Sequence, residues 1–264
     1  MKFEEMTITD FNLPHVIFIL ASVLIGALFY FLTIRFKQTE KTKEMLLKTL
    51  ALSTFVIHIS IIWYLFITSD MAFDGTGPHD KFPPNLLFPI ATCNIIAFFN
   101  LVIAFLDKNS KLFKFLAPAC AWIGCIGAVL SLFGGADGSG YYATRSMVSH
   151  FLMFLTSSYL FIAGYVKIRV LWNMLSVTVM LLFNGLLGGL TIWIYSALGW
   201  NYSDANPMWL FRGLIPSVEA TKGYYAFIYV LIFVFIFTAL WEQFKIKDLG
   251  ERWYARLRKT KKSG

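Results

Sequence analysis

Three side chains able to do chemistry, one cysteine and two histidines, stand inside long apolar stretches where a polar group has no water to turn to. They are Cys93, flanked by Thr92 and Asn94, and the histidines His58 and His150. Asn100, Asn173 and Asn184 are polar groups in similar surroundings. A thiol and an imidazole brought together form a nucleophile and its base. The thiolate attacks an acyl carbonyl, and the imidazole takes the thiol proton and later activates the second substrate. Such pairs are defined by geometry, not by spacing along the chain. Each residue therefore also has a plain reading: Cys93 as a small buried apolar group, and His150 as an interhelical hydrogen-bonding group meeting Asn94 or Thr92.

Arg145 opens the apolar run that carries Ser149 and His150. A guanidinium at headgroup depth holds a lipid phosphate through two parallel hydrogen bonds, which would bring the glycerol esters near His150. The alternative is a side chain that snorkels to the interface. Asn184, with Gly185, Gly188 and Gly189, reads first as close packing by small residues and second as a broken helix lining a site. His15 and His79 read as exposed and unpaired. Cys120 and Cys125 are five residues apart, poor spacing for one helical face and no metal signature. The chain contains no GxSxG, HExxH or phosphate-binding glycine loop. No cofactor and no metal are expected.

The elements that must position these groups are membrane helices. Of the 264 residues, 58% are hydrophobic and 14% charged, with a mean hydropathy of +0.65. A soluble domain carries about 25% charged residues. The expected fold is all-α: a single transmembrane helical domain over 1–264, a bundle of about seven helices. Apolar runs fall at 14–34, 49–68, 85–106, 115–133, 143–166, 170–198 and 223–241, followed by a basic tail at 242–264. The glycine cluster GGADGSG after the fourth run is expected to turn. Of the 23 Lys and Arg, five lie in 35–48, three in 107–114, two in 167–169 and eight in the tail, against five on the opposite side. Positive residues stay cytoplasmic. That places the N-terminus outside and the C-terminus inside, and seven crossings is the odd number this needs. The acidic start, without an A-x-A site behind a short apolar core, is read as lacking a cleaved signal peptide. The tail serves as a topology anchor or lies on an anionic inner leaflet.

With that orientation, depth follows from the helical rise. Cys93 lies ~13 Å below the outer boundary and His150 ~8 Å below it. His58 lies ~15 Å above the inner boundary, near the midplane.

One stretch is more specific. FPIATC at 88–93 followed by Asn94, then a helix closing on GG, then YYATRSMVSH, Asn184 with its glycines, and NYSDANP occur in that order. Over roughly residues 80–210 this resembles the YwaF-like bacterial membrane proteins, whose eukaryotic relative is transmembrane protein 164. The resemblance implies a seven-helix bundle. From the eukaryotic branch it implies acyl transfer between phospholipids, with Cys93 as nucleophile and His150 as base. The sequence departs from the family pattern at Ala91, where a histidine is common, and at Phe88, where leucine is usual.

Three functions are open on this reading. The first is a Cys93–His150 lipid acyltransferase acting on outer-leaflet phospholipids of the cell membrane, with Arg145, Ser149, Thr92, Asn94, His58 and Asn184 lining the substrate site. The second is a non-enzymatic binding or transport protein for a lipid or small solute, and the third a structural subunit of a membrane complex. A net charge of +8 distributed over short loops and the tail, without a nucleic-acid motif, sets nucleic acid aside. The apolar runs carry no Asp, Glu or Lys in their cores, which argues against an ion-coupled pump.

Overall fold

The computed structural model describes residues 7–8, 11–36, 38–67, 92–197 and 223–243. Among these residues the chain forms seven helices and two short strands. The helices are α1 (Leu13–Arg35), α2 (Glu40–Ile67), α3 (Thr92–Phe105), α4 (Lys111–Gly134), α5 (Tyr141–Ile162), α6 (Val170–Ala197) and α7 (Gly223–Gln243). The strands are β1 (Thr7–Ile8) and β2 (Ala136–Ser139). The 69–84 loop with His79, the start of the third apolar run at 85–91, the 201–207 segment and the tail from 244 onward lie outside the described residues.

Local chemistry explains where the helices begin and end. Asn12 caps α1 by accepting from the His15 N–H, and Pro14 occupies its first turn, where a missing N–H costs nothing. α2 starts nine residues before its apolar run. Thr39 Oγ1 accepts from the Thr42 N–H at 3.2 Å, and Leu47, one of the residues read as loop, is fully buried. Ser110 caps α4 through the Phe113 N–H. α5 stops at Ile162 because Gly164 takes a φ of +79°, letting the Val166 N–H reach back to Leu160 O at 3.0 Å. Between α3 and α4, the Lys108 ammonium donates to the carbonyls of Ile103, Ala104 and Leu106 at 2.8–3.0 Å, tying off the end of α3. Partial burial pulls its pKa down to about 8.

α5 is the middle of the bundle. It packs against α1, α2, α3 and α4, while α6 packs against α4 and α7. Its hydroxyls reach into its neighbours. Tyr30 OH of α1 meets Ser158 Oγ at 2.6 Å, Thr54 of α2 meets Thr156 at 2.9 Å, and Asn100 of α3 donates to Ser157 at 3.2 Å. Gly124 of α4 lies against the same Ser157: a Cβ there would stand 2.0 Å from Ser157 Oγ and 2.9 Å from Ser157 Cβ. The three helices α3, α4 and α5 cross at this point.

Pro118 inside α4 cannot donate to Lys114 O and opens the helical ladder. α6 closes it from outside. The Trp172 indole N–H takes Lys114 O at 3.0 Å, while Ser176 Oγ accepts from the Ala119 N–H at 3.1 Å and donates to Phe115 O. The proline is tolerated because a neighbouring helix satisfies the groups it frees.

Two sequence expectations are corrected here. The glycine cluster is more than a turn: its Ala136–Ser139 segment is a strand pairing antiparallel with Thr7–Ile8. His15 is not exposed. It is fully buried, bonded through Nε2 to Leu132 O at 2.7 Å, and its Nδ1 accepts from the Phe11 N–H at 3.2 Å. The last turn of α4 leaves its carbonyls without intrahelical partners, and His15 fills one of them while holding the strand in place.

Four helices are long and apolar enough to cross a membrane: Leu13–Arg35, Lys111–Gly134, Val170–Ile194 and Tyr225–Gln243. α1 exposes Leu13, Leu20, Val23, Leu24 and Leu28, an apolar surface that water does not tolerate and lipid does. The chain is a mostly helical integral membrane protein.

Candidate functional site

Cys93 and Asn94 lie in the first turn of α3, His58 two-thirds of the way along α2, and Arg145 and His150 in the first half of α5. The bundle brings all five together. The Cys93 thiol donates to Asn94 Oδ1 at 3.6 Å, and His58 Nε2 reaches the same oxygen at 2.5 Å. An amide oxygen only accepts, so with Asn94 in this orientation His58 donates and carries its proton on Nε2. The ring of His150 stands edge-on to that of His58, with centroids 6.5 Å apart. Arg145 Nη1 donates to the backbone carbonyl of His58 at 2.8 Å. The guanidinium is close enough to act electrostatically on Cys93, His58 and His150 alike.

His150 is held by its own helix. Its Nδ1 donates to Ser146 O, one turn earlier, at 2.8 Å. That leaves Nε2 as the nitrogen with a lone pair, the orientation a base needs. Asn94, one of the partners expected for it, instead engages His58. Among the described residues no Cys93–histidine hydrogen bond forms. The thiol and the two imidazoles are linked through Asn94 and by proximity.

Arg145 points inward. It is half-buried, bonded across to α2, and its Nε is buried without a partner among the described residues. His58 Nδ1 is in the same condition. Thr92 is buried at the start of α3. Ser149 is fully buried, but its hydroxyl bonds to Ser146 O at 2.9 Å and so serves its own helix. Asn184 stands apart from the cluster on α6: it is fully buried, with both amide atoms unpartnered among the described residues. Of its glycines, Gly185 faces Phe227 of α7, while a Cβ at Gly189 would meet nothing. At 3.9 Å from Phe227, a Cβ at Gly185 would make an ordinary contact, so neither glycine is required by a close helix approach. Asn173 is structural, accepting from Trp122 Nε1 at 2.7 Å and donating to Lys167 O.

Ser146 went unnoticed in the sequence although it orients His150. Its signal is present: it lies four residues before a buried histidine, where a helical carbonyl faces the ring. The sharing of Asn94 between Cys93 and His58 had no sequence signal, because it depends on how α2 and α3 meet. Among the described residues no group of three or more His, Cys, Asp and Glu is placed to hold a metal ion. No family model, no curated protein and no solved structure matches this chain.

Proposed function

We propose that this protein is a multi-pass cell-membrane lipid acyltransferase of the YwaF-like kind, working through a thioester on Cys93. In this reading it crosses the membrane seven times, with the N-terminus outside and the C-terminus cytoplasmic, and acts on outer-leaflet phospholipids. The observation that carries the reading is the convergence of Cys93, Asn94, His58, Arg145 and His150 from three helices into one half-buried polar cluster. A polar cluster of this cost in a membrane bundle calls for a function.

The first half-reaction balances as follows. Cys93 Sγ attacks the ester carbonyl of a donor phospholipid, and His150 Nε2 accepts the thiol proton. The tetrahedral intermediate collapses, the C–O bond breaks, and the departing lysolipid oxygen takes that proton back from His150. Arg145 supplies hydrogen-bond donors for a lipid phosphate or for the developing oxyanion, where a preorganised cation contributes most. In the second half-reaction an acceptor hydroxyl attacks the thioester, and the C–S bond breaks.

Lipid or small-solute binding without catalysis is the second reading. The observation in its favour is that the thiol rests on Asn94 and not on a histidine. Lipid profiles of cells producing Cys93→Ala, His150→Ala or both separate the two. Acyl transfer predicts that each single variant abolishes the change in acyl-chain distribution and that the double variant loses no more, because nucleophile and base act as one unit. Unchanged profiles in both single variants remove the enzyme reading and leave binding.

A further inference from the structure

Among the described residues, two buried polar atoms of the cluster have no partner: His58 Nδ1 and Arg145 Nε. They belong to groups already joined, since Arg145 Nη1 holds the His58 carbonyl at 2.8 Å. The two orphans are complementary. With its proton on Nε2 and given to Asn94, His58 offers a lone pair at Nδ1. Arg145 Nε can only donate. Burying such atoms unpaired is costly, and native proteins keep them where something else completes the bonding. A single hydroxyl has the chemistry to complete both, with an O–H to donate to His58 Nδ1 and an oxygen to accept from Arg145 Nε.

We propose that His58 is a second catalytic base, which binds and deprotonates the hydroxyl of the acyl acceptor, with Arg145 Nε holding that oxygen. This rests on the acyltransferase reading and assigns its second half-reaction. The two histidines then divide the work. Each has one nitrogen fixed as donor, His58 to Asn94 Oδ1 and His150 to Ser146 O, and each keeps one lone pair free for chemistry. In the second half-reaction the acceptor oxygen attacks the Cys93 thioester carbonyl and its proton moves to His58 Nδ1. The C–S bond breaks, and the thiolate recovers a proton from His58. No further reactant is needed. Asn94 orients the base through Nε2, as the third member of a nucleophile–base arrangement does.

The test uses purified full-length protein in detergent, a phospholipid with a fluorescent acyl chain as donor, and lysophospholipid as the hydroxyl acceptor. The readout is hydroxylamine-sensitive fluorescence on Cys93, followed before and after the acceptor is added. His58→Gln keeps an amide N–H for Asn94 and removes the basic nitrogen; His58→Asn is the second variant should the first not purify as a monodisperse species. The expected result is that a His58 variant loads Cys93 as the wild type does but releases the chain at least 100-fold more slowly, on the scale of a lost general base. Added imidazole should restore part of the release, which a purely structural role for His58 would not allow. His150→Gln should instead fail to load. Release from a His58 variant at the wild-type rate overturns the role of His58 and leaves the acyltransferase reading standing, as does failure of that variant to load. Absence of label on wild-type Cys93 overturns both.

Discussion

Gly124→Ala tests the bundle that holds the cluster together. An added methyl would stand 2.0 Å from Ser157 Oγ, 2.9 Å from Ser157 Cβ and 3.1 Å from Ile96 Cγ2. Rotating the serine hydroxyl removes only the first clash. The second requires α4 and α5 to separate, because Cβ moves with the backbone. Overpacking of this kind costs ~1–3 kcal/mol, and displacing Ser157 also weakens its bond to Asn100, worth ~1 kcal/mol. Alanine returns ~0.5–1 kcal/mol as a better helix former than glycine. The net expectation is a loss of ~1–3 kcal/mol. Reversible unfolding of the purified protein in mixed micelles with increasing denaturing detergent reads this directly. Ser157→Gly in the Gly124→Ala background removes both serine contacts and should recover part of the loss, a coupling seen as non-additivity in a double-mutant cycle. A Gly124→Ala protein as stable as the wild type would refute the close crossing of α3, α4 and α5, and with it the placement of His150 against α2 and α3.

Other outcomes follow from the same geometry. Trp172→Phe removes an exposed hydrogen bond to Lys114 O and should cost ~0.5–1.5 kcal/mol; the loss should shrink in a Pro118→Ala background, where the restored N–H serves that carbonyl, as micellar unfolding would read. His15→Phe keeps the aromatic stack on Phe11 but loses both ring hydrogen bonds, and should speed amide exchange at 136–139 by about tenfold per 1.4 kcal/mol lost. Arg145→Lys retains the charge but not the fork of donors, so binding of a fluorescent phospholipid should be partly impaired, and more so in Arg145→Ala; equal affinity of all three proteins would show that Arg145 does not engage lipid. Cysteines placed at Asn109 and Ser203 should label from opposite faces of the membrane; labelling from one face would refute the seven-crossing orientation.

The length of the apolar runs made the helices legible because hydrocarbon allows so few alternatives. α1, α4, α6 and α7 match their apolar runs to within a few residues at either end. The early start of α2 was hidden because a basic segment reads as loop when its apolar face, around Leu47, is not weighed against a buried partner. β1–β2 and the burial of His15 were hidden because both are contacts between the N-terminal residues and the end of α4, more than a hundred positions away. Within the site, residue types alone flagged Cys93, His58, His150, Asn94 and Arg145. Their connectivity was not legible. Helical rise sorted them by depth but not by rotation, and rotation decides that Asn94 meets His58 while His150 turns to Ser146.

Acyl transfer through Cys93 can be measured directly in a reconstituted membrane. Purified wild-type, Cys93→Ala and His150→Ala proteins should be reconstituted separately in liposomes containing a phospholipid with a deuterated acyl chain and an unlabelled lysophospholipid acceptor, and the deuterated product followed by mass spectrometry. Product is expected from the wild type and only background from both variants. Product formed by Cys93→Ala at the wild-type rate, or none formed by the wild type, would contradict acyl transfer through Cys93.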